Sequence, residues 1–181
     1  MQADNDSLPG SSHRRFGFYA PLKIRERAIL KKAIALRGKE KVGKSQIIRT
    51  VEELLRERYP SATVEHEYRT KVELRAVLSI NGVKIGIEST GENIKRITES
   101  FDLFLSLDCE VLICATRTTG NTVNAVNALI GFEAVWFEQR SQAEPIERIF
   151  SNLAMARLIV EEIEKAIAFT KPEVLSRAAG R

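Results

Sequence analysis

The residues best suited to chemistry lie between positions 38 and 45, where the sequence reads Gly-Lys-Glu-Lys-Val-Gly-Lys-Ser. Glycines at both ends of this stretch let a backbone approach an anion closely, so that main-chain N–H groups bind phosphate oxygens. Lys44 would reach the outer phosphates, and the hydroxyl of Ser45 would be a ligand of Mg²⁺. The spacing predicts a phosphate-binding loop, whose expected contact residues are Gly38, Lys39, Glu40, Lys41, Val42, Gly43, Lys44, Ser45 and Gln46.

The residues on either side of this loop predict a strand before it and a helix after it. Residues 33–36 are apolar, while apolar residues recur at positions 47, 48, 51, 54 and 55 with helical spacing. A helix that begins at the loop would direct the positive end of its dipole at the anion. The alternative is a solvated basic loop that leads into a helix.

Glu88 is the first acidic candidate, because it ends a segment in which Val83, Ile85 and Ile87 alternate. An acidic residue at the end of a neighbouring strand holds Mg²⁺ directly or through water in phosphate-loop enzymes. We therefore expect Glu88 to be a metal ligand and a catalytic residue. The N–H of Gly91, three residues later, is expected near the outermost phosphate. The alternative is an exposed carboxylate at a strand end.

Glu92 has two interpretations. Residues Ser89, Thr90, Gly91 and Glu92 form the S-x-x-E pattern of a helix capping box, which is the favoured interpretation. In the other interpretation, Glu92 orients a water molecule at the phosphate.

Arg117 follows the apolar segment 111–115 and precedes a predicted helix. Ligands of open α/β sheets lie at the carboxyl ends of the strands, so Arg117 is expected in the same crevice as the phosphate loop. There its guanidinium would stabilise the charge of a transferring phosphoryl group. The alternative is a surface ion pair.

Periodicity along the rest of the chain predicts alternating strands and helices. Asn81-Gly82 lies between the alternating segments 73–80 and 83–87 and is a strong hairpin signal. Further strands are expected at 62–68, 111–115 and 134–137, the last two buried, and helices at 91–105, at 121–130 and from 145 to just before 172. This order predicts an α/β fold, a three-layer α/β/α sandwich with a mainly parallel sheet and one antiparallel hairpin.

The composition limits the class of protein. The 181 residues are 44% hydrophobic and 29% charged, which predicts one globular domain over residues 13–181 after a polar, disordered tail at 1–12. The tail is not typical of a signal peptide, and no apolar stretch is long enough to span a membrane. Cys109 and Cys114, with only two histidines, cannot form a zinc site. We expect reduced, buried thiols in a cytoplasmic protein.

The positive charge is concentrated near the N-terminus. Residues 13–44 contain eleven Lys or Arg and only two Glu, whereas the residues from 45 onward are mildly acidic. Phe16, Phe18 and Tyr19 are interleaved with this charge, a pattern that would suit a nucleic-acid surface.

On these motifs the chain resembles a P-loop NTPase over roughly residues 33–138. The resemblance implies a nucleoside triphosphate and Mg²⁺, with ATP expected over GTP because the sequence has no N-K-x-D motif. Lys39 resembles the deviant Walker A lysine of partition and septum-positioning ATPases, in which this lysine often reaches the nucleotide of a dimer partner. The resemblance thus leaves room for a homodimer. The segment from Glu88 to Gly91 is similar to the D-x-x-G motif of small GTPases.

Three functions follow from these observations. The preferred one is an Mg²⁺-dependent ATP-binding enzyme that hydrolyses the γ-phosphate, with a nucleotide-driven switch as one form of it. Lys44, Glu88 and Arg117 would be catalytic, and Ser45 and Glu88 would be metal ligands. A small-molecule or nucleotide kinase of the same fold is the first alternative. The second is a non-enzymatic basic module that binds nucleic acid through residues 13–44.

Overall fold

The computed structural model describes residues 31–170, which form a six-stranded sheet and four helices. In chain order the elements are β1 (Lys31–Arg37), α1 (Lys44–Arg58), β2 (Thr63–Arg69), β3 (Leu74–Ile80), β4 (Val83–Glu88), α2 (Ile94–Ser106), β5 (Val111–Thr116), α3 (Asn121–Asn127), β6 (Phe132–Glu138) and α4 (Pro145–Thr170). Helices separate the strands as the sequence periodicity predicts, except that β2, β3 and β4 follow one another directly.

The sheet has the order β2-β3-β4-β5-β1-β6. Strands β4, β5, β1 and β6 pair in parallel, whereas β3 is antiparallel to both of its neighbours. The sheet is therefore mainly parallel, as predicted, but it contains two hairpins instead of one. The segment between β2 and β3 is only residues 70–73, which is too short for the crossover that a parallel pair requires.

The hairpin between β3 and β4 turns at Asn81 and Gly82. Both residues have positive φ angles, 54° and 86°, which is the backbone of a type I′ turn. The predicted turn and antiparallel hairpin are confirmed, and Leu78 is paired with Ile85.

Apolar side chains form a core on each face of the sheet. On one face, strand residues such as Ile85 and Ile87 pack with α1 and α4. On the other face, Cys114 and Leu112 of β5 pack with Phe104 of α2 and with α3. Helices on both faces are compatible with the predicted three-layer α/β/α sandwich.

Some predicted boundaries and burial states differ from the structure. Helix α2 begins at Ile94 instead of position 91, because the side chain of Asn93 caps it by accepting from the N–H groups of Lys95 and Arg96. Helix α3 ends at Asn127, three residues early. Strand β6 is only half buried, because it is an edge strand whose one neighbour is β1.

Both cysteines are buried and free, as predicted. Burial raises the pKa of each thiol to about 12. Within residues 31–170, no helix is long and apolar enough to cross a membrane. The predicted tail at 1–12, the basic residues of 13–30 and the stop at Pro172 lie outside the described residues.

Candidate active site

The predicted phosphate loop connects β1 to α1 at the carboxyl end of the parallel strands. The carboxyl ends of β4, β5 and β6 lie at this same edge, because these strands run parallel to β1. Segments 89–93 and 117–120 therefore begin beside the loop. An open α/β sheet binds ligands at this edge.

Lys44 lies in the first turn of α1 and folds back over the loop. Its Nζ donates hydrogen bonds to the carbonyl oxygens of Gly38, at 2.9 Å, and Lys39, at 2.6 Å. The residue is only 6% exposed. Burial lowers the pKa of Lys44, and the positive charge of Arg117 lowers it further, while the negative charges of Glu92 and Glu40 oppose that shift. Glu40 of the loop, Glu92 of the segment after β4 and Arg117 of the segment after β5 thus all act on the ammonium group of Lys44.

The N-terminus of α1 presents main-chain donors at the same point. In α1, Ile47 is the first residue whose N–H has a recorded main-chain acceptor, which is the carbonyl oxygen of Gly43. Within residues 31–170 no acceptor is recorded for the N–H groups of Lys44 and Ser45. A helix N-terminus with free N–H groups and a lysine is a positive site suited to an anion.

The second glycine of the loop is required by its backbone and by its neighbour. Gly43 has a φ of 97°, and a Cβ atom there would lie 2.7 Å from the amide of Asn152 in α4. The Asn152 amide is itself fixed, because its Oδ1 accepts from Nε2 of Gln139 at 3.0 Å. Sequence reasoning missed Gln139 and Asn152, since nothing local in the sequence connects them to the loop.

Ser45 contacts the segment that follows β4. Its hydroxyl donates to the main-chain oxygen of Ser89 at 2.8 Å. Ser89 is buried, its N–H donates to the carbonyl of Leu74, and its hydroxyl accepts from the N–H of Leu74. The proton of Ser45 is thus directed at a fixed carbonyl, which leaves the oxygen lone pairs of Ser45 available to a cation.

The prediction that Glu88 is an exposed or metal-binding carboxylate needs correction. Glu88 is 0% exposed, and one carboxylate oxygen accepts from Arg75, Arg96 and Ser100 while the other accepts from the N–H of Thr90. Residues alternate between the faces of a strand, so Glu88 points to the α2 face and away from the face on which Ile87 packs with α1. Its carboxylate forms structural ion pairs with Arg75 and Arg96, on the face of the sheet opposite to Ser45.

Glu92 is the carboxylate that lies at the loop. A cavity of about 300 Å³ is lined by Lys41, Gly43, Lys44, Ser45, Gln46, Gly91 and Glu92. The favoured capping-box interpretation is wrong, because Asn93 caps α2 and Ser89 bonds to β3. Glu92 is exposed, and among the described residues no hydrogen bond or ion pair is recorded for its side chain. It is therefore free to act on a ligand.

Gly91 and Arg117 both lie close to the carboxyl end of β5. A Cβ atom at Gly91 would lie 2.5–2.6 Å from atoms of Ala115, so the segment before Glu92 is packed directly on this strand. Arg117 is exposed, and its charge acts on Lys44. The structure thus brings Gly91 and Glu92 to the loop cavity, whereas Arg117 does not line it and acts on Lys44 only through its charge.

The remaining loop residues differ in what they offer a ligand. Lys41 lines the cavity and has a φ of 62°, whereas Val42 is buried as part of the apolar core. Lys39 and Glu40 are exposed and do not line the cavity. Lys39 contributes its carbonyl to Lys44, and its side chain remains available to a partner.

A larger cavity of about 590 Å³ lies between α1 and α4, away from the loop. Its charged lining residues are two Arg and two Glu, which offset one another, so it lacks the positive potential of the loop.

The chain matches no protein-family model, no curated protein and no solved structure. Among the described residues, no group of three or more His, Cys, Asp or Glu could hold a metal ion.

Proposed function

We propose that the protein is an Mg²⁺-dependent ATP-binding P-loop NTPase that hydrolyses the γ-phosphate. The observation that carries the proposal is the position of Lys44, which is buried at the N-terminus of α1 with its ammonium group over the loop carbonyls. A buried cation beside free helix N–H groups requires an anion for full compensation. A polyphosphate chain supplies it.

The phosphates would lie along residues 41–46. Main-chain N–H groups of Lys44 and Ser45 would donate to phosphate oxygens, and the ammonium group of Lys44 would move from the loop carbonyls to the outer phosphates. Burial destabilises the charged ammonium group of Lys44 in the free protein. Bound phosphates would offset this cost, so the same charge would add to the affinity for the nucleotide. Because an anion stabilises its charged form, binding raises the pKa of Lys44 toward its ordinary value.

The residues fit a magnesium ion bound together with phosphates. Mg²⁺ keeps several waters and takes one or two protein ligands besides the phosphates, so a cluster of three acidic residues is not needed. Ser45 offers an oxygen whose proton is directed at Ser89, and Glu92 offers a carboxylate at the same cavity. When bound, the ion would neutralise charge on the β- and γ-phosphate oxygens.

Glu92 and Arg117 provide the chemistry of hydrolysis. The carboxylate of Glu92 accepts a proton from water as the water oxygen forms a bond to the γ-phosphorus. The bond from this phosphorus to the bridging oxygen breaks, which releases ADP and phosphate. Lys44 and Arg117 stabilise the negative charge that spreads over the transferring group.

A kinase of the same fold remains the alternative, because the same carboxylate could accept a proton from an acceptor hydroxyl. Arg117 and Thr119 lie in an exposed segment that would meet such an acceptor. A nucleic-acid module is less supported, since five of its eleven basic residues precede position 31 and Lys44 is directed at the loop carbonyls. The homodimer implied by Lys39 and a cytoplasmic location stay predictions.

Thermal unfolding with ADP and Mg²⁺ tests nucleotide binding. A ligand at a hundredfold its Kd stabilises the folded state by about 2.7 kcal/mol, which corresponds to a rise in Tm of about 5–10 °C for a chain of this size. Steady release of phosphate from ATP without an acceptor then separates a hydrolase from a kinase. RNA affinity that falls steeply with rising salt, in a protein that ADP does not stabilise, would favour the nucleic-acid module.

A further inference from the structure

A second cavity adjoins the phosphate cavity. It has a volume of about 390 Å³ and lies between the N-terminal halves of α1 and α4. Gln46 lines both cavities, so the two are adjacent. The other lining residues are Thr50 of α1 and Ile149, Asn152 and Leu153 of α4.

The lining has apolar walls and a few polar groups. Ile149 and Leu153 supply the apolar surface, while Gln46, Thr50 and Asn152 supply hydroxyl and carboxamide groups. None of these five residues is charged, in contrast to the phosphate cavity beside them. Such a lining suits a flat ring with apolar faces and a polar edge.

Ile149 is 63% exposed although it is an isoleucine beside a cavity. A ring that packed on this side chain would remove apolar surface from water on both partners. Asn152 connects this wall to the loop, because its amide contacts Gly43 and accepts from Gln139. A ligand in this cavity would therefore be held at a fixed distance from the phosphate-binding residues.

We propose that this second cavity binds the adenine base of the nucleotide whose phosphates occupy residues 41–46. This inference rests on the proposed function, since it requires the phosphates at the loop. The base and the phosphates belong to one molecule, and Gln46 is the residue at which the two cavities meet. The α-phosphate and ribose would pass Gln46.

The polar lining favours adenine over guanine. A carboxamide offers a donor and an acceptor side by side, which matches the exocyclic amine and ring nitrogen of adenine, whereas Arg or Lys donors match guanine. The Gln46 side chain is exposed and available for this contact. Oδ1 of Asn152 is occupied by Gln139, which leaves its amino group to donate.

Titration calorimetry in the presence of Mg²⁺ tests this base pocket with three ligands. They are a non-hydrolysable ATP analogue, the corresponding GTP analogue and inorganic tripolyphosphate, which has no base. We expect the ATP analogue to bind most tightly. Ile149→Ser should weaken it about tenfold, the loss expected when one isoleucine contact is removed, and leave tripolyphosphate binding unchanged.

Ile146→Ser is the matched control. Ile146 lies one turn earlier in α4, is 61% exposed and does not line the cavity, so its replacement should change none of the three affinities. Both positions are exposed, and both variants should fold.

Four results would overturn the inference. Equal affinities of the wild type for the ATP analogue and tripolyphosphate would refute the base pocket while the phosphate site stands. The same holds if Ile149→Ser leaves the ratio of these two affinities unchanged. Equal affinities for the ATP and GTP analogues would refute the assignment of adenine. If neither nucleotide nor tripolyphosphate binds, the proposed function fails together with the base pocket.

Discussion

The hydroxyl of Ser45 donates a hydrogen bond to the main-chain oxygen of Ser89, with 2.8 Å between the two oxygens. This contact joins the phosphate loop to the segment after β4, although one strand, β5, lies between β1 and β4. Alternate residues of a strand share one face, so Ser89 lies on the same face as Ile85 and Ile87, which pack with α1. The site is therefore built on Ser89 and Glu92, and not on Glu88.

Replacing Glu92 with glutamine should remove the proton acceptor and keep the binding site. We expect phosphate release from ATP to fall at least about 100-fold, since general base catalysis contributes about that much or more. The Tm should change little, because Glu92 is exposed, and the affinity for an Mg²⁺-bound ATP analogue should fall much less than the rate, because Ser45 and the phosphates still hold the ion. Glu40→Gln is the control, since Glu40 also acts on Lys44 but does not line the cavity. Equal rates in Glu92→Gln and wild type would rule out this role.

Replacing Glu88 with glutamine should destabilise the protein. The change leaves the guanidinium groups of Arg75 and Arg96 without their buried counterion, and breaking a buried pair in this way costs about 3–5 kcal/mol. Urea unfolding measures this loss. Glu99→Gln is the control, because Glu99 is exposed and lies 4.0 Å from Arg75, so its loss should cost at most about 0.5 kcal/mol. A fully stable Glu88→Gln protein that has lost its Mg²⁺ dependence would restore Glu88 as a metal ligand.

Replacing Arg117 with alanine should slow the chemical step more than it weakens binding. Arg117 acts on the charge around Lys44 but does not line the phosphate cavity in the free protein. We expect kcat to fall at least about 100-fold with a smaller change in KM, as for other arginines at a transferring phosphoryl group. Arg140→Ala, at another exposed position after a strand of the same edge, should have no effect. A rise in KM at constant kcat would show that Arg117 only binds substrate.

The buried thiols should make the protein less stable in alkali. Burial raises the pKa of Cys109 and Cys114 from 9.0 to about 12, so both groups stay protonated in the folded state after the unfolded state has ionised. Their contribution to stability is complete below about pH 9 and is lost progressively as the pH rises toward 12. We expect the free energy of unfolding to fall less steeply between pH 9 and 11 in a variant with both cysteines replaced by alanine. The same slope in both proteins would contradict the shift.

Local patterns predicted the elements whose signals are local. The Asn81-Gly82 turn was predictable because only a few dipeptides tolerate positive φ at both positions, and the helix at 44–58 because its apolar residues repeat at one spacing. The start of α2 was not predictable, because two N-cap signals compete there. One is the S-x-x-E pattern that begins at Ser89, and the other is Asn93, which lies directly before the first helical residue. The sequence itself does not show which of them wins.

The direction of Glu88 required the tertiary structure. Alternation along β4 showed that Glu88 and Ile87 point to opposite faces, but it did not show which face carries α1. That is decided by the packing of α1 against Ile85 and Ile87. Gln139 and Asn152 carry no local signal, because they reach the loop only through the pairing of β6 with β1 and the return of α4 across the sheet.

Calorimetric titration of wild type and Lys44→Ala with a non-hydrolysable ATP analogue and Mg²⁺ tests nucleotide binding most directly. Lys44 is the buried cation at the helix N-terminus, so its removal should abolish a binding isotherm that wild type shows. Binding should also be lost for tripolyphosphate, because the proposed site has Lys44 bind the phosphates and not the base. No heat of binding in wild type, or equal affinities in both proteins, would contradict a nucleotide site at residues 38–45.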